Sequence, residues 1–211
     1  GPILTSALSG IDQALWDIKG KLRNIPVYEV FGGPTRDRGR IYGRASNAED
    51  MKQRVAEGYT VVKTGVAKEN PSRAVENIKF IKYAVENFAS LRKAGGDGVD
   101  IGIDFHGSIP YQTSKLLIRE LEPYQPMFIE EPCPPENVDI LAEIARGTHL
   151  PIATGERIFT KWGFRQILEK GAASILQPDL CHAGGISECR LIAGMAEAYY
   201  AVIAPHNPMG P

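Results

Sequence analysis

Apolar residues recur along this chain with two alternating periods. Positions three and four apart, as in Ile11, Ala14, Leu15, Ile18 and Leu22, predict amphipathic helices. Short β-branched runs, such as Thr60-Val61-Val62-Lys63-Thr64, predict strands. The run Ile101-Gly102-Ile103 is continuously apolar, which marks a strand buried on both faces.

Taken in order, Ser9-Gly10-Ile11-Asp12 reads as a capping box that opens the first helix. Pro26 opens a short second helix that stops at Gly32-Gly33-Pro34. Arg40-Ile41-Tyr42-Gly43 is a short strand, and Asn47 caps a helix running through Glu57 to Gly58. After the strand at Thr60–Thr64, Val75, Ile78, Ile81, Val85, Phe88 and Leu91 mark a long helix starting from Pro71. Gly95-Gly96-Asp97-Gly98 is a turn and no phosphate loop, because a strand follows it and not a helix. Strands ending at Asp104, Glu131, Glu156, Asp179 and Pro205 then alternate with helices through Leu117, Leu141, Phe164 and Ile186–Tyr199.

Seven strands alternating with helices, with no hairpin signal, predict a parallel sheet with crossover helices. A doubly wound sheet and a (β/α) barrel both fit this alternation. Polar residues end consecutive strands throughout, which favours the barrel, where every strand end faces one mouth. The count stops at seven, since Pro211 leaves no room for an eighth strand. The expected organisation is a helical lead-in over residues 1–39 and an incomplete barrel catalytic domain over 40–211.

Three of the strand ends carry the chemistry. Asp104, Glu130 and Glu156 are separated by equal steps of 26 residues. Three hard oxygen donors without a thiolate suit Mg2+, or Mn2+, with positions left for substrate oxygens. The alternative is that these acids pair with Lys or Arg at the barrel mouth. His206 ends the seventh strand beside Asp179 on the sixth, so a carboxylate could fix its tautomer and make it a general base. His106 lies two residues beyond Asp104, on the same side if the strand continues, and has no carboxylate partner in sequence; it could be an acid. His149 precedes a strand and reads as structural, whereas His182, before Gly184-Gly185, could line a site. Arg157 could reach a substrate oxygen or form a surface ion pair.

Composition narrows the setting. The 211 residues are 43% hydrophobic and 23% charged with a net charge of −1, which gives no sign of nucleic acid or an anionic membrane as partner. No apolar run approaches the roughly 18 residues of a transmembrane helix, and the opening Gly-Pro-Ile-Leu-Thr-Ser has no basic signal region. Three cysteines, Cys133, Cys181 and Cys189, fit reduced thiols and a cytoplasmic setting.

The motifs Asp-Phe-His-Gly, Phe-Ile-Glu-Glu-Pro, Thr-Gly-Glu-Arg, Gln-Pro-Asp-x-x-His-Ala-Gly-Gly-Ile and Ala-Pro-His-x-Pro occur in that order. As a set they resemble the enolase superfamily, in particular the galactonate dehydratase members of its mandelate-racemase-like branch. The opening Ser-Gly-Ile-Asp-Gln-Ala-Leu-Trp-Asp-Ile-Lys-Gly-Lys is similar to the helix by which that family enters its barrel. The resemblance implies a modified (β/α)7β barrel, Mg2+ held by Asp104, Glu130 and Glu156, and dehydration of an acid sugar to a 2-keto-3-deoxy acid. The expected roles are His206 with Asp179 as base, His106 as acid, and Lys63, Arg157 and His182 as substrate contacts. A homo-oligomer acting on a small-molecule acid sugar is expected.

Two departures from the family pattern stand out. The family's N-terminal capping domain and its eighth strand lie outside this chain. Relatives with a lysine base carry Lys-x-Lys on the second strand, whereas this strand ends Lys63-Thr64-Gly65, which throws the base role onto His206. Racemisation or epimerisation on the same site, another aldonate such as gluconate or mannonate, and a non-catalytic metal-binding fragment lacking its cap are the rival expectations.

Overall fold

A computed structural model describes residues 1–66 and 77–208. Its strands are β1 (Gly43–Arg44), β2 (Val61–Gly65), β3 (Asp100–Asp104), β4 (Phe128–Glu130), β5 (Ile152–Thr154), β6 (Ile175–Leu176) and β7 (Val202–Ile203). The helices are α1 (Pro2–Arg23), α2 (Val27–Val30), α3 (Ala48–Ala56), α4 (Asn77–Gly95), α5 (Tyr111–Leu121), α6 (Val138–Arg146), α7 (Thr160–Glu169) and α8 (Gly185–Ala198). Strand order follows chain order from β1 to β7. A doubly wound sheet would reverse its order at a switch point, so the singly wound α/β alternative is the one adopted. Pro71 and Val75, predicted in the long helix, lie outside the described residues.

Contacts group the chain into two compact units. The first comprises Gly1–Arg40, Thr154–Glu169 and Ile175–Pro211, and the second Ile41–Ala153 with Lys170–Ser174.

In the second unit, β1 to β4 pair in parallel, with Lys63 opposite Gly102 and Asp104 opposite Glu130. Val61, Val62, Ile101, Ile103, Phe128 and Ile129 are buried, as are Phe88 and Leu91 of α4, Leu117 and Leu121 of α5, and Leu141 and Ile144 of α6. Gly102 is required here, because a Cβ would lie 2.3 Å from the buried Phe128 ring. Asn47 caps α3 as expected, its side chain accepting from the Glu49 and Asp50 amides at 3.0 Å.

The first unit departs from expectation at α1. The helix begins at Pro2, not at Ser9. Ser9 sits inside it, donating from Oγ to the Thr5 carbonyl and accepting from the Gly184 amide at 2.9 Å. Asp12 accepts from the Ser187 amide at 3.0 Å and the Ser187 hydroxyl at 2.5 Å. The supposed capping box therefore serves the N-terminus of α8. Trp16 completes this seam, donating to Ser187 Oγ at 2.8 Å and meeting the Phe31 ring edge-on. Ile11, Leu15, Ile18 and Leu22, which follow the helical period, are all more than half exposed. The buried face of α1 is instead small and polar, with Thr5, Ser9 and Gly20.

Among the described residues, no helix is long and apolar enough to cross a membrane. Replacing Asp12 tests the reassigned cap. Asp12→Ala should lower unfolding free energy by about 0.5–2 kcal/mol, the usual cost of a lost N-cap. A denaturant midpoint unchanged from the parent would remove Asp12 from that role.

Candidate functional site

The second unit gathers charge at the ends of β2, β3 and β4. Register places Asp104 beside Glu130. Glu130 is completely buried, so its carboxylate must find a countercharge within the protein. Lys63 of β2 provides it, with Nζ 3.0 and 2.9 Å from the two Glu130 oxygens and 3.8 Å from Asp104 Oδ2. The Tyr42 ring lies 5.5 Å from the same ammonium. Burial alone would lower the pKa of Lys63, but the charges of Glu130 and then Asp104 outweigh it and raise the pKa above the ordinary value. Two carboxylates thus converge on one cation, which is what a divalent-ion site also requires.

His106 follows directly. Its backbone is left-handed, at φ 51°, and its amide donates to Asp104 Oδ1 at 2.7 Å. The turn, rather than a continued strand, brings its ring Nδ1 to 3.6 Å from Asp104 Oδ2. His106 therefore does have a carboxylate neighbour, contrary to the sequence expectation. The ring is 64% exposed, so it is open to a ligand. Donor atoms of Asp104, His106 and Glu131 all lie within 4.8 Å of one another, a group able to hold a metal ion.

The first unit holds the other set. Asp179 and His206 form a parallel backbone bridge, and their side chains meet at 2.7 Å between Oδ2 and Nδ1. Asp179 is buried and also accepts from the Cys181 amide at 2.7 Å through Oδ1. The other ring nitrogen of His206 lies 3.0 Å from Glu156 Oε2. Glu156 follows Gly155, whose φ of 153° and close approach to the Gln177 backbone admit no side chain. The hydrogen bond from Glu156 raises the His206 pKa most; burial opposes it, and Asp179 adds to it. A cavity of about 570 Å³ opens beside this pair, lined by Ser6, Glu156, Arg157, Phe159, His182 and His206 among others. Ser6 Oγ lies 2.8 Å from His182 Nδ1.

Each predicted residue therefore has a place. Asp104, Glu130, Lys63 and His106 gather in one unit, and Glu156, Arg157, Asp179, His182 and His206 in the other. Lys63, expected to touch substrate, is committed to two acids. Ser6 gave no signal in the sequence, since its partner is 176 residues away. His149 is exposed. None of the three cysteines forms a disulfide, and burial pushes the Cys189 thiol up to about 12, which makes it no nucleophile at neutral pH.

Comparison with known proteins adds the lineage. Residues 46–211 match the family described as enolase C-terminal domain-like, and residues 2–32 match the mandelate racemase / muconate lactonizing enzyme N-terminal domain. D-galactonate dehydratases of Ralstonia nicotianae and Ralstonia pickettii are 49% and 48% identical over all of this chain and 56% of their own length. The chain thus spans about half the length of the curated relatives it matches. An enolase from Agrobacterium radiobacter, solved with sodium and L-malate bound, superposes with a TM-score of 0.92 at 37% identity, over 100% of this chain and 55% of its own. The 3,6-anhydro-D-galactonate cycloisomerase of Zobellia galactanivorans gives 0.87 at 32% identity, over 97% of this chain and 56% of its own.

Two measurements check the geometry. Lys63→Met leaves a dry Glu130 charge without its nearest cation, and should cost about 3–5 kcal/mol of unfolding free energy. A loss below 1 kcal/mol would mean that the pair is not what neutralises Glu130. For His206, a raised folded pKa means stability that is full below the ordinary imidazole value of about 6.5 and lost as pH rises through the folded value. In metal-free buffer Asp179→Asn should move the His206 midpoint down in an NMR titration and flatten that loss. An unchanged midpoint would remove the Asp179 contribution.

Proposed function

The chain belongs to the enolase C-terminal domain-like family, and from that premise we propose that it forms part of a divalent-metal-dependent acid-sugar dehydratase. The substrate proposed is an aldonate, most simply galactonate, converted to its 2-keto-3-deoxy acid. The observation that carries this reading is His206, held at 2.7 Å by the buried Asp179.

Asp104, Glu130 and Glu156 are the proposed ligands of Mg2+, with Mn2+ as a substitute. The fit is chemical. All three are hard oxygen donors, and Asp104 and Glu130 already converge on an ammonium cation, that of Lys63. Their equal 26-residue spacing supports assigning them to one function. When bound, the ion would stabilise negative charge developing on the substrate carboxylate.

The protein's own groups perform the proton transfers. Asp179 takes the hydrogen bond of His206 Nδ1, which fixes the tautomer and supports the imidazolium formed on proton uptake. His206 Nε2 then removes the proton at C2. Glu156 lies 3.0 Å from that nitrogen, so Glu156 must be engaged elsewhere when His206 acts as base. A ligand role for Glu156 meets that requirement. His106 is exposed, with its ring Nδ1 3.6 Å from Asp104 Oδ2. It supplies the proton to the departing 3-hydroxyl, which leaves as water. The C2–H pair becomes the C2–C3 double bond, and the resulting enol tautomerises to the 2-keto acid. Arg157 lines the cavity beside His206 and offers donors to an anionic substrate.

A second reading keeps the same proton abstraction but a different outcome, racemisation, epimerisation or cycloisomerisation. The cycloisomerase similarity favours keeping it in view.

Galactonate in D2O with Mg2+, followed by proton NMR, tests these steps. His206→Asn should lower C2 exchange by about 10²–10⁴-fold, the range for one positioned proton transfer. His106→Asn should block formation of the keto acid while leaving C2 exchange. Exchange with epimer but no keto acid would favour the second reading. Calorimetric titration of Mg2+ into Asp104→Asn, Glu130→Gln and Glu156→Gln should show weakened binding in each. An unchanged affinity removes that residue from the ligand set, and an unmodified chain that binds Mg2+ but neither exchanges nor dehydrates galactonate sinks the reading for it.

A further inference from the structure

The contact between α1 and the loop before α8 determines the state of a second histidine. Ser6 Oγ lies 2.6 Å from the Pro2 carbonyl and 2.8 Å from His182 Nδ1. A serine hydroxyl has one hydrogen to give. A carbonyl can only accept, so that hydrogen goes to Pro2. The 2.8 Å contact is then a hydrogen bond only if His182 Nδ1 carries the proton and Ser6 accepts it. In the neutral ring, Nε2 is left as a bare acceptor, and among the described residues no protein group bonds it. His182 lines the same cavity as Arg157 and His206.

We propose that Ser6 holds His182 as its Nδ1–H tautomer, and that Nε2 accepts a hydrogen bond from a substrate hydroxyl in the cavity His182 lines. His182 would thus be a specificity-determining residue, and Ser6 the positioning residue that sets its polarity. The cavity's chemistry calls for such a group. A polyol acid presents hydroxyl donors along its chain, whereas Arg157 offers donors alone. Glu156 is an acceptor already paired with His206. His182 Nε2 supplies the missing acceptor, while Phe159 and Ile3 offer apolar wall to the carbon chain. The identity of the ligand rests on the acid-sugar reading above, but the tautomer does not.

Long-range proton–nitrogen NMR of the 211-residue chain, labelled at histidine and recorded with the imidazoles neutral, reads the tautomer directly. His182 should show a protonated Nδ1 and an unprotonated Nε2, and Ser6→Ala should abolish that preference. A protonated Nε2 in the parent chain overturns the proposal. Titration with D-galactonate in the presence of Mg2+ should move the Nε2 resonance saturably. His182→Phe should weaken galactonate about 3- to 10-fold, the worth of one neutral hydrogen bond, and His182→Gln, which keeps an acceptor, should recover most of it. Galactonate that moves the His206 signals but leaves His182 Nε2 unmoved overturns the His182 assignment alone. Galactonate that moves no signal at all overturns the acid-sugar reading and the ligand with it, while the tautomer result stands.

Discussion

A carboxylate with no exposed surface is the constraint around which the larger unit is built. Glu130 ends β4 in the dry interior, where an isolated charge costs several kcal/mol. Lys63 of β2 reaches it through both carboxylate oxygens. That pairing constrains register. A slip of one residue would turn the Glu130 side chain to the other face of its strand and leave the charge unpaired. The close fit of Gly102 under the Phe128 ring holds the same register by packing. Charge and shape therefore select one alignment of β2, β3 and β4.

The smaller unit uses the same device with a different base. Asp179 is buried, and its two oxygens are taken by the Cys181 amide and the His206 ring. The backbone bridge between Asp179 and His206 sets both side chains at once. Each unit thus ends its strands with an acid that must have a partner, and each partner is a nitrogen able to carry positive charge. Strand ends built to hold cations are poor places for apolar ligands and good ones for metal ions and anionic substrates bridged through them.

Much of this was legible because strand-ending acids are a local signal. The apolar run before Asp104, Glu130 or Glu156 announces the strand, and the acid announces an unusual end. The Asp179–His206 neighbourhood followed from counting strands, since adjacent parallel strands bring their ends together. What failed was long-range or conformational. Periodicity found the α1 helix but not its orientation, because the helix buries small polar residues that serve α8. Ser9 and Asp12 matched a local cap pattern while their partners lie 175 residues away. The positive φ of His106 could not be read from its residue type, so its approach to Asp104 was missed. The pairing of Glu130 with Lys63 matches the alternative that a strand-ending acid meets a Lys or Arg, but strand register, not composition, selects the partner.

Glu156 is where the two chemistries meet. A general base, the role proposed for His206, needs an open lone pair, yet the hydrogen bond of His206 to Glu156 is the largest cause of its raised pKa. While Nε2 of His206 is hydrogen-bonded to Glu156, that nitrogen has no lone pair open to a substrate proton. Asp179 cannot be the residue that switches, since it is buried and fixed by the Cys181 amide as well. Glu156 lies just beyond the end of β5, after a glycine packed against the Gln177 backbone. In the proposed mechanism a metal-ligand role for Glu156 would leave Nε2 of His206 open for proton abstraction, so one side chain would serve both chemistries.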